Sequence, residues 1–250
     1  MNSKKKQKTP AIANDRKRLL TNESPFAIKE AYVKLRTNLL FCMTADKKKA
    51  CRVFEVTSAN PNEGKSLTAA NIAVSFAMLG KETLLIDADL RKPTQRKLWK
   101  IKAKTGLCDF LADIAPMELI KVEDLPLSII IAGTIPPNPS ELVSSEVMKA
   151  LINNCAARYD YIIIDTPPVN TVADAQMVAT FVDGVVMVAK SGFTTSDELQ
   201  NAMDAIQRAG GNLCGTVLND MNMKVSKQYS KKYSYHYSEA YETHDTYETK

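Results

Sequence analysis

The run Ala59-Asn60-Pro61-Asn62-Glu63-Gly64-Lys65-Ser66 has the residue types and spacing of a loop that cradles phosphate, in the form that opens with Ala instead of Gly. Backbone N–H groups of such a loop, with the positive end of the helix that follows, face a β-phosphate. Lys65 reaches the β- and γ-phosphates, and the Ser66 hydroxyl can ligate Mg2+. Three acids could complete this chemistry. Asp87 and Asp89 lie in Leu84-Leu85-Ile86-Asp87-Ala88-Asp89-Leu90-Arg91, and Asp165 closes the apolar run Ile162-Ile163-Ile164. A carboxylate at the end of an apolar strand is what positions Mg2+, an ion that takes few carboxylates together with waters and phosphate oxygens. Asp87 and Asp89 point to opposite faces if the strand continues, but at its end the chain turns and both can reach the phosphates. The plainer alternative for each acid is a turn or helix cap.

These side chains meet only if strands and helices alternate around them. Residues 53–58 read as a short buried strand, and 67–79 carry apolar residues at helical spacing until Gly80. Further strands are expected at 83–86, 127–132, 159–164, 185–189 and 214–218. Helices are expected as two short pieces within 106–121, as one longer helix from Ser140, and over 174–182 and 196–209. An N-terminal helix over 24–43 is signalled by the cap Ser24, by Pro25, and by Ile28, Ala31, Tyr32, Leu35, Leu39 and Met43 at spacings of mostly three and four. Continuously apolar strands alternating with helices predict an α/β fold, a doubly wound and largely parallel sheet with helices on both faces. Such sheets bind ligands at the carboxyl edge.

A chain of 250 residues with 45% apolar and 24% charged residues is enough for one sizeable α/β domain. Of the net charge of +5, residues 1–20 supply seven Lys or Arg against one acid, and residues 224–250 five against four. The body is left at −2, which excludes a basic nucleic-acid-binding surface. The basic arm, residues 1–22, reads as solvated, with attraction to an anionic membrane face as its functional alternative. Cys42, Cys51, Cys108, Cys155 and Cys214 have no metal-ligand spacing and are expected to be reduced. Without an apolar run of membrane length or a signal peptide, the chain is expected to be cytoplasmic. Residues 23–222 form the expected domain. In the tail, residues 223–250, lie six of the nine tyrosines, Tyr229, Tyr233, Tyr235, Tyr237, Tyr241 and Tyr247, among polar residues that predict disorder.

The loop, the Asp87-Ala88-Asp89 stretch, the Asp165-Thr166-Pro167-Pro168 run, Pro136-Pro137-Asn138-Pro139-Ser140-Glu141-Leu142 and the tyrosine-rich end together resemble the bacterial tyrosine kinases of capsule and exopolysaccharide synthesis. These are P-loop NTPases, and the resemblance covers everything from about Ser24 onward. It implies ATP and Mg2+ as cofactors and autophosphorylation of the terminal tyrosines. It implies that Asn60, Asn62, Glu63, Gly64, Lys65, Ser66 and Leu67 hold nucleotide, that Asn219 contacts adenine, and that Ser66, Asp89 and Asp165 hold the metal. Lys65, Asp87 and Asp89 are then catalytic, with Asp87 as the base. It also implies recruitment to the inner face of the plasma membrane by a transmembrane activator, the polysaccharide co-polymerase subunit, and a cognate tyrosine phosphatase. A homo-oligomeric ring is implied through the helix bearing Glu30 and Arg36.

Two positions depart from the family pattern. Asn62 stands where Gly is usual, and Asn tolerates left-handed backbone better than most residues. Val33 stands where the ring helix has its first Arg. Two other functions share the fold. A partitioning or membrane-oscillating ATPase would carry a second lysine at position 60, which is Asn60; a nucleotide-binding scaffold without kinase activity is compatible with Asn62.

Overall fold

The computed structural model describes residues 19–42 and 50–221. Seven strands form one sheet: β1 (Arg52–Ser58), β2 (Thr83–Asp87), β3 (Ile120–Lys121), β4 (Leu127–Ile130), β5 (Tyr161–Asp165), β6 (Gly184–Lys190) and β7 (Leu213–Asn219). Their order is β3-β4-β2-β5-β1-β6-β7. Every pairing is parallel except β3 with β4. The doubly wound sheet anticipated from sequence is therefore the fold observed.

Alternation along the central strands divides the core between the two faces. Phe54, Val56, Leu85, Ile163 and Val186 pack with Ile72, Val74 and Phe76 of α2 (Lys65–Ala77). Val53, Leu84, Ile86, Ile162 and Ile164 pack on the other face with Met148, Leu151 and Ile152 of α6 (Glu146–Ala156). Toward β6, Val185 and Met187 meet Ala175 and Ala179 of α7 (Asp174–Ala179) and Ala202 and Ile206 of α8 (Ser196–Arg208). Strands covered on both faces have no use for polar alternation, which explains their continuous apolar runs.

Three local expectations need correction. Within 106–121 a single short helix forms, α4 (Leu107–Leu111), with Asp113 in left-handed backbone just beyond it, and Ile120–Lys121 adds the antiparallel edge strand. The helix expected from Ser140 is divided into α5 (Pro139–Val143) and α6. The extended Ser145 separates them, and its hydroxyl accepts from the Met148 N–H as an N-cap. Finally, the N-terminal helix, α1 (Phe26–Cys42), does not bury the whole predicted stripe. Tyr32, Leu35, Arg36 and Leu39 face the domain, while Ile28 and Ala31 are exposed; Met43 lies outside the described residues. Arg36 belongs to the packed ridge because its guanidinium donates to the Ser75 carbonyl (2.5 Å) and hydroxyl (3.1 Å) of α2.

Candidate functional site

The strand order alone brings the candidate residues together. β2, β5 and β1 are neighbours, with Asp87 in register with Asp165 and Asp165 in register with Val56. Their carboxyl ends therefore deliver both acids and the phosphate loop to one point on the sheet edge. A cleft of about 500 Å³ opens there, lined by Asn62, Gly64, Lys65, Ser66, Leu67, Asp89, Arg91 and Asn219 among others. That volume suits a small organic ligand.

The loop holds its shape through its own side chains. Glu63 is fully buried; its carboxylate accepts from the Asn60 N–H and the Thr194 hydroxyl, and its carbonyl accepts from the Asn219 amide (2.9 Å). Asn62 adopts φ 68°, the left-handed conformation that asparagine tolerates, so the departure from glycine is accommodated. Gly64 at φ 92° admits no such change, because a Cβ there would fall 2.0 Å from Asn219 Nδ2. Asn60 and Glu63 thus shape the loop, whereas the other five predicted nucleotide contacts in it and Asn219 face the cleft.

Lys65 Nζ sits 2.7 Å from Asp89 Oδ2, 3.3 Å from Asp165 Oδ1 and 3.3 Å from Ser66 Oγ, all buried. Burial alone would depress the lysine pKa, but Asp165 and Asp89 outweigh it and hold the ammonium charged. Asp165 remains raised, chiefly by burial, although Lys65 and the Gln95 amide oppose the shift. Asp87 is pushed well up by burial and by its neighbour Asp165. One of its oxygens accepts from the Thr94 and Gln95 N–H groups (3.1 and 3.0 Å), while Oδ1 is buried with no partner among the described residues. Asp89 lines the cleft; Asp87 and Asp165 lie beneath it, fully buried.

This donor set fits Mg2+. It is all oxygen, and Ser66 Oγ lies within reach of the same ammonium as Asp89 and Asp165. Among the described residues no group of three His, Cys, Asp or Glu is arranged to hold a metal ion by itself; Mg2+ takes few carboxylates together with waters and phosphate oxygens.

Two parts of the site were not foreseen from sequence. Arg91 grips Asp174 with Nε (2.9 Å) and a terminal nitrogen (3.1 Å), and Ser140 donates to the same carboxylate (2.6 Å). This ties the acid-bearing loop to α5 and α7. Gln95, first residue of α3 (Gln95–Leu98), bonds Ser66 and Asp165. Neither residue carries a local signal, since both depend on elements far along the chain. The predicted phosphoacceptors, Tyr229, Tyr233, Tyr235, Tyr237, Tyr241 and Tyr247, lie outside the described residues.

A phosphate loop between β1 and α2, with acids at the ends of the adjacent strands, defines a P-loop NTPase. The model of the family described as "ParA: NUBPL iron-transfer P-loop NTPase" matches residues 49–250. Among curated proteins, tyrosine-protein kinase YwqD of Bacillus subtilis is 40% identical over 202 residues, covering 80% of this chain and 84% of that protein. Putative tyrosine-protein kinase CapB of Staphylococcus aureus is 35% identical over 206 residues, 81% of this chain and 88% of that one. Of solved structures, the chimerical protein CapA2B2 superposes with a TM-score of 0.73 at 38% identity, covering 80% of this chain and 86% of the other. The chain belongs to the bacterial tyrosine kinases within this P-loop family.

Proposed function

We propose that this chain is an ATP- and Mg2+-dependent autokinase whose domain, residues 23–222, phosphorylates tyrosines in the segment 223–250 of a neighbouring copy. The observation that carries the proposal is the buried group of Lys65, Ser66, Asp89 and Asp165, with Asp87 beneath, at the floor of a nucleotide-sized cleft. Phosphoryl transfer asks mainly for positioning and charge stabilisation, and a buried ammonium held charged by carboxylates supplies both. Ser66, Asp89 and Asp165 hold Mg2+, which when bound neutralises phosphate charge. Asn219, braced on the loop, faces the base.

Asp87 takes the proton. A tyrosine hydroxyl with a pKa near 10 needs an acceptor at neutral pH, and Asp87 Oδ1, unpartnered among the described residues, is the carboxylate oxygen left to accept it. Its position beneath the cleft means that the 89–94 loop must shift for a hydroxyl to reach it. The likeness to CapB and to a Klebsiella pneumoniae tyrosine-protein kinase named for its cps region supports a role in controlling capsular or extracellular polysaccharide synthesis and export. No described helix is long and apolar enough to cross a membrane. The reading includes a transmembrane partner at the inner face of the plasma membrane and a cognate phosphatase to reset the tail. Adding ATP and Mg2+ to the purified chain and probing for phosphotyrosine tests it: incorporation is expected, and bound nucleotide with no phosphotyrosine would instead identify a binding scaffold.

A further inference from the structure

We infer that Gln95 is the positioning residue that fixes the phosphate end of the cleft before nucleotide enters, with Trp99 as the outer member of the same chain of contacts. Gln95 is fully buried. Its backbone N–H donates to Asp87 Oδ2 (3.0 Å), its Nε2 donates both to Asp165 Oδ2 (2.9 Å) and to the Ser66 carbonyl (2.9 Å), and its Oε1 accepts from Trp99 Nε1 (3.1 Å). One residue thereby touches two of the three acids and the hinge between loop and helix α2.

The amide orientation follows from these partners. Flipping it would aim the oxygen at a carboxylate and a carbonyl, both acceptors, and the NH2 at an indole N–H, a donor. A carboxylate in its place could accept from Trp99 but could not donate to Asp165 or Ser66 while ionised. With Oδ2 held by Gln95, Asp165 can turn only its Oδ1 toward Lys65. The acid therefore meets an incoming metal and phosphate in a set orientation. Trp99 is the chain's single tryptophan, so its emission reports on the surroundings of the indole that bonds this amide.

The inference rests on reading the phosphate end as a Mg2+–nucleotide site. Its test uses the full chain with Gln95→Glu, Gln95→Leu and Trp99→Phe, measuring phosphotyrosine formation against Mg2+ and ATP separately, calorimetric binding of ADP with and without Mg2+, and Trp99 emission. In both Gln95 variants the half-saturating Mg2+ concentration should rise, and kcat fall, by about 10- to 100-fold. KM for ATP at saturating Mg2+ should move less than about threefold. An emission change on adding Mg2+ and ADP is expected of the parent chain and should be lost in both Gln95 variants. Trp99→Phe, which leaves the amide's bonds to Asp165 and Ser66 in place, should shift the Mg2+ requirement by no more than about threefold.

Parent-like Mg2+ dependence in Gln95→Glu would overturn the inference. So would kcat, ATP affinity and thermal stability falling together, or loss of the fold in both Gln95 variants, because Gln95 would then be structural only. A parent chain that binds Mg2+ and ADP with the emission change but forms no phosphotyrosine would defeat the kinase proposal instead, and leave the positioning of Asp165 supported by calorimetry.

Discussion

The carboxyl edge of β2, β5 and β1 and the helix α1 are built on opposite terms. At the edge, Lys65, Asp87, Asp89, Asp165 and Gln95 are all under 10% exposed, and each is held by several partners. Helix α1 buries only Leu39 fully, bonds the domain through Tyr32, Arg36 and Cys42, and leaves Phe26 and Phe41 at 76% and 70% exposure. A site determined by its own fold needs no partner to acquire its geometry. A helix with aromatic side chains in water has half of its surroundings still to find. The edge should therefore govern chemistry, and α1 should govern what the domain assembles with.

The largest effect expected of that contrast is at Lys65. Lys65→Ala should reduce phosphotyrosine formation by at least about 10²- to 10³-fold, as loss of one charge-stabilising donor does. It should also cost about 1–3 kcal/mol at neutral pH, because Asp89 and Asp165 lose a buried partner. Circular dichroism with a urea titration separates the two losses, and retained activity in a folded variant would remove the loop from the chemistry.

Asp87, at the end of β2, and Asp89, just beyond it, come next. Asp87→Asn should lower kcat by about 10²- to 10⁴-fold, the usual contribution of a general base, with nucleotide affinity little changed. Asp89→Asn should raise the Mg2+ requirement, because Asp89 is the acid that faces the cleft. The reverse pattern, read by calorimetry beside single-turnover kinetics, would exchange their roles.

A smaller effect concerns Glu55, buried on β1 with one oxygen taking the Thr166 hydroxyl and the other unpartnered among the described residues. Burial raises its pKa well above the ordinary 4.5, against the pull of the Thr166 hydrogen bond. Folding then takes up a proton between the unfolded and folded pKa values. The stability that Glu55 contributes is fully present below about pH 4.5 and is lost as pH rises through the folded value. Glu55→Gln should flatten that fall, and thermal melts of parent and variant across pH give the difference. Parallel curves would mean that Glu55 does not hold its proton.

The smallest effects on the isolated domain belong to α1. Phe41→Ser should change its stability by less than about 0.5 kcal/mol, as an exposed position does. If α1 is the assembly helix, light scattering should nonetheless show smaller particles for this variant. A large loss of stability with no change in size would make α1 an internal element only.

What could be read from sequence divides along the same line. Residues 59–66, Asp87, Asp89 and Asp165 were legible because Asp87 and Asp165 end apolar strands and the loop and Asp89 follow such strands directly, where local pattern fixes position. Ser145 and Asp113, which broke the expected helices, act through capping and left-handed backbone that the apolar pattern does not carry. Gln95, Arg91 and Asp174 were invisible because their partners stand 29 to 83 residues away. The inward stripe of α1 was drawn too long, since helical periodicity says which residues share a face and not how much of it another element covers.

The central claim, transfer to the terminal tyrosines of another copy, is tested most directly by mixing two chains. One carries Lys65→Ala and an intact tail; the other has an intact cleft and Phe at positions 229, 233, 235, 237, 241 and 247. With ATP and Mg2+, mass spectrometry should find phosphate on Tyr229, Tyr233, Tyr235, Tyr237, Tyr241 and Tyr247 of the Lys65→Ala chain. Six such phosphates would carry its tail from near +1 to about −8 to −11. An active second chain that leaves all six of those tyrosines unmodified would contradict the account.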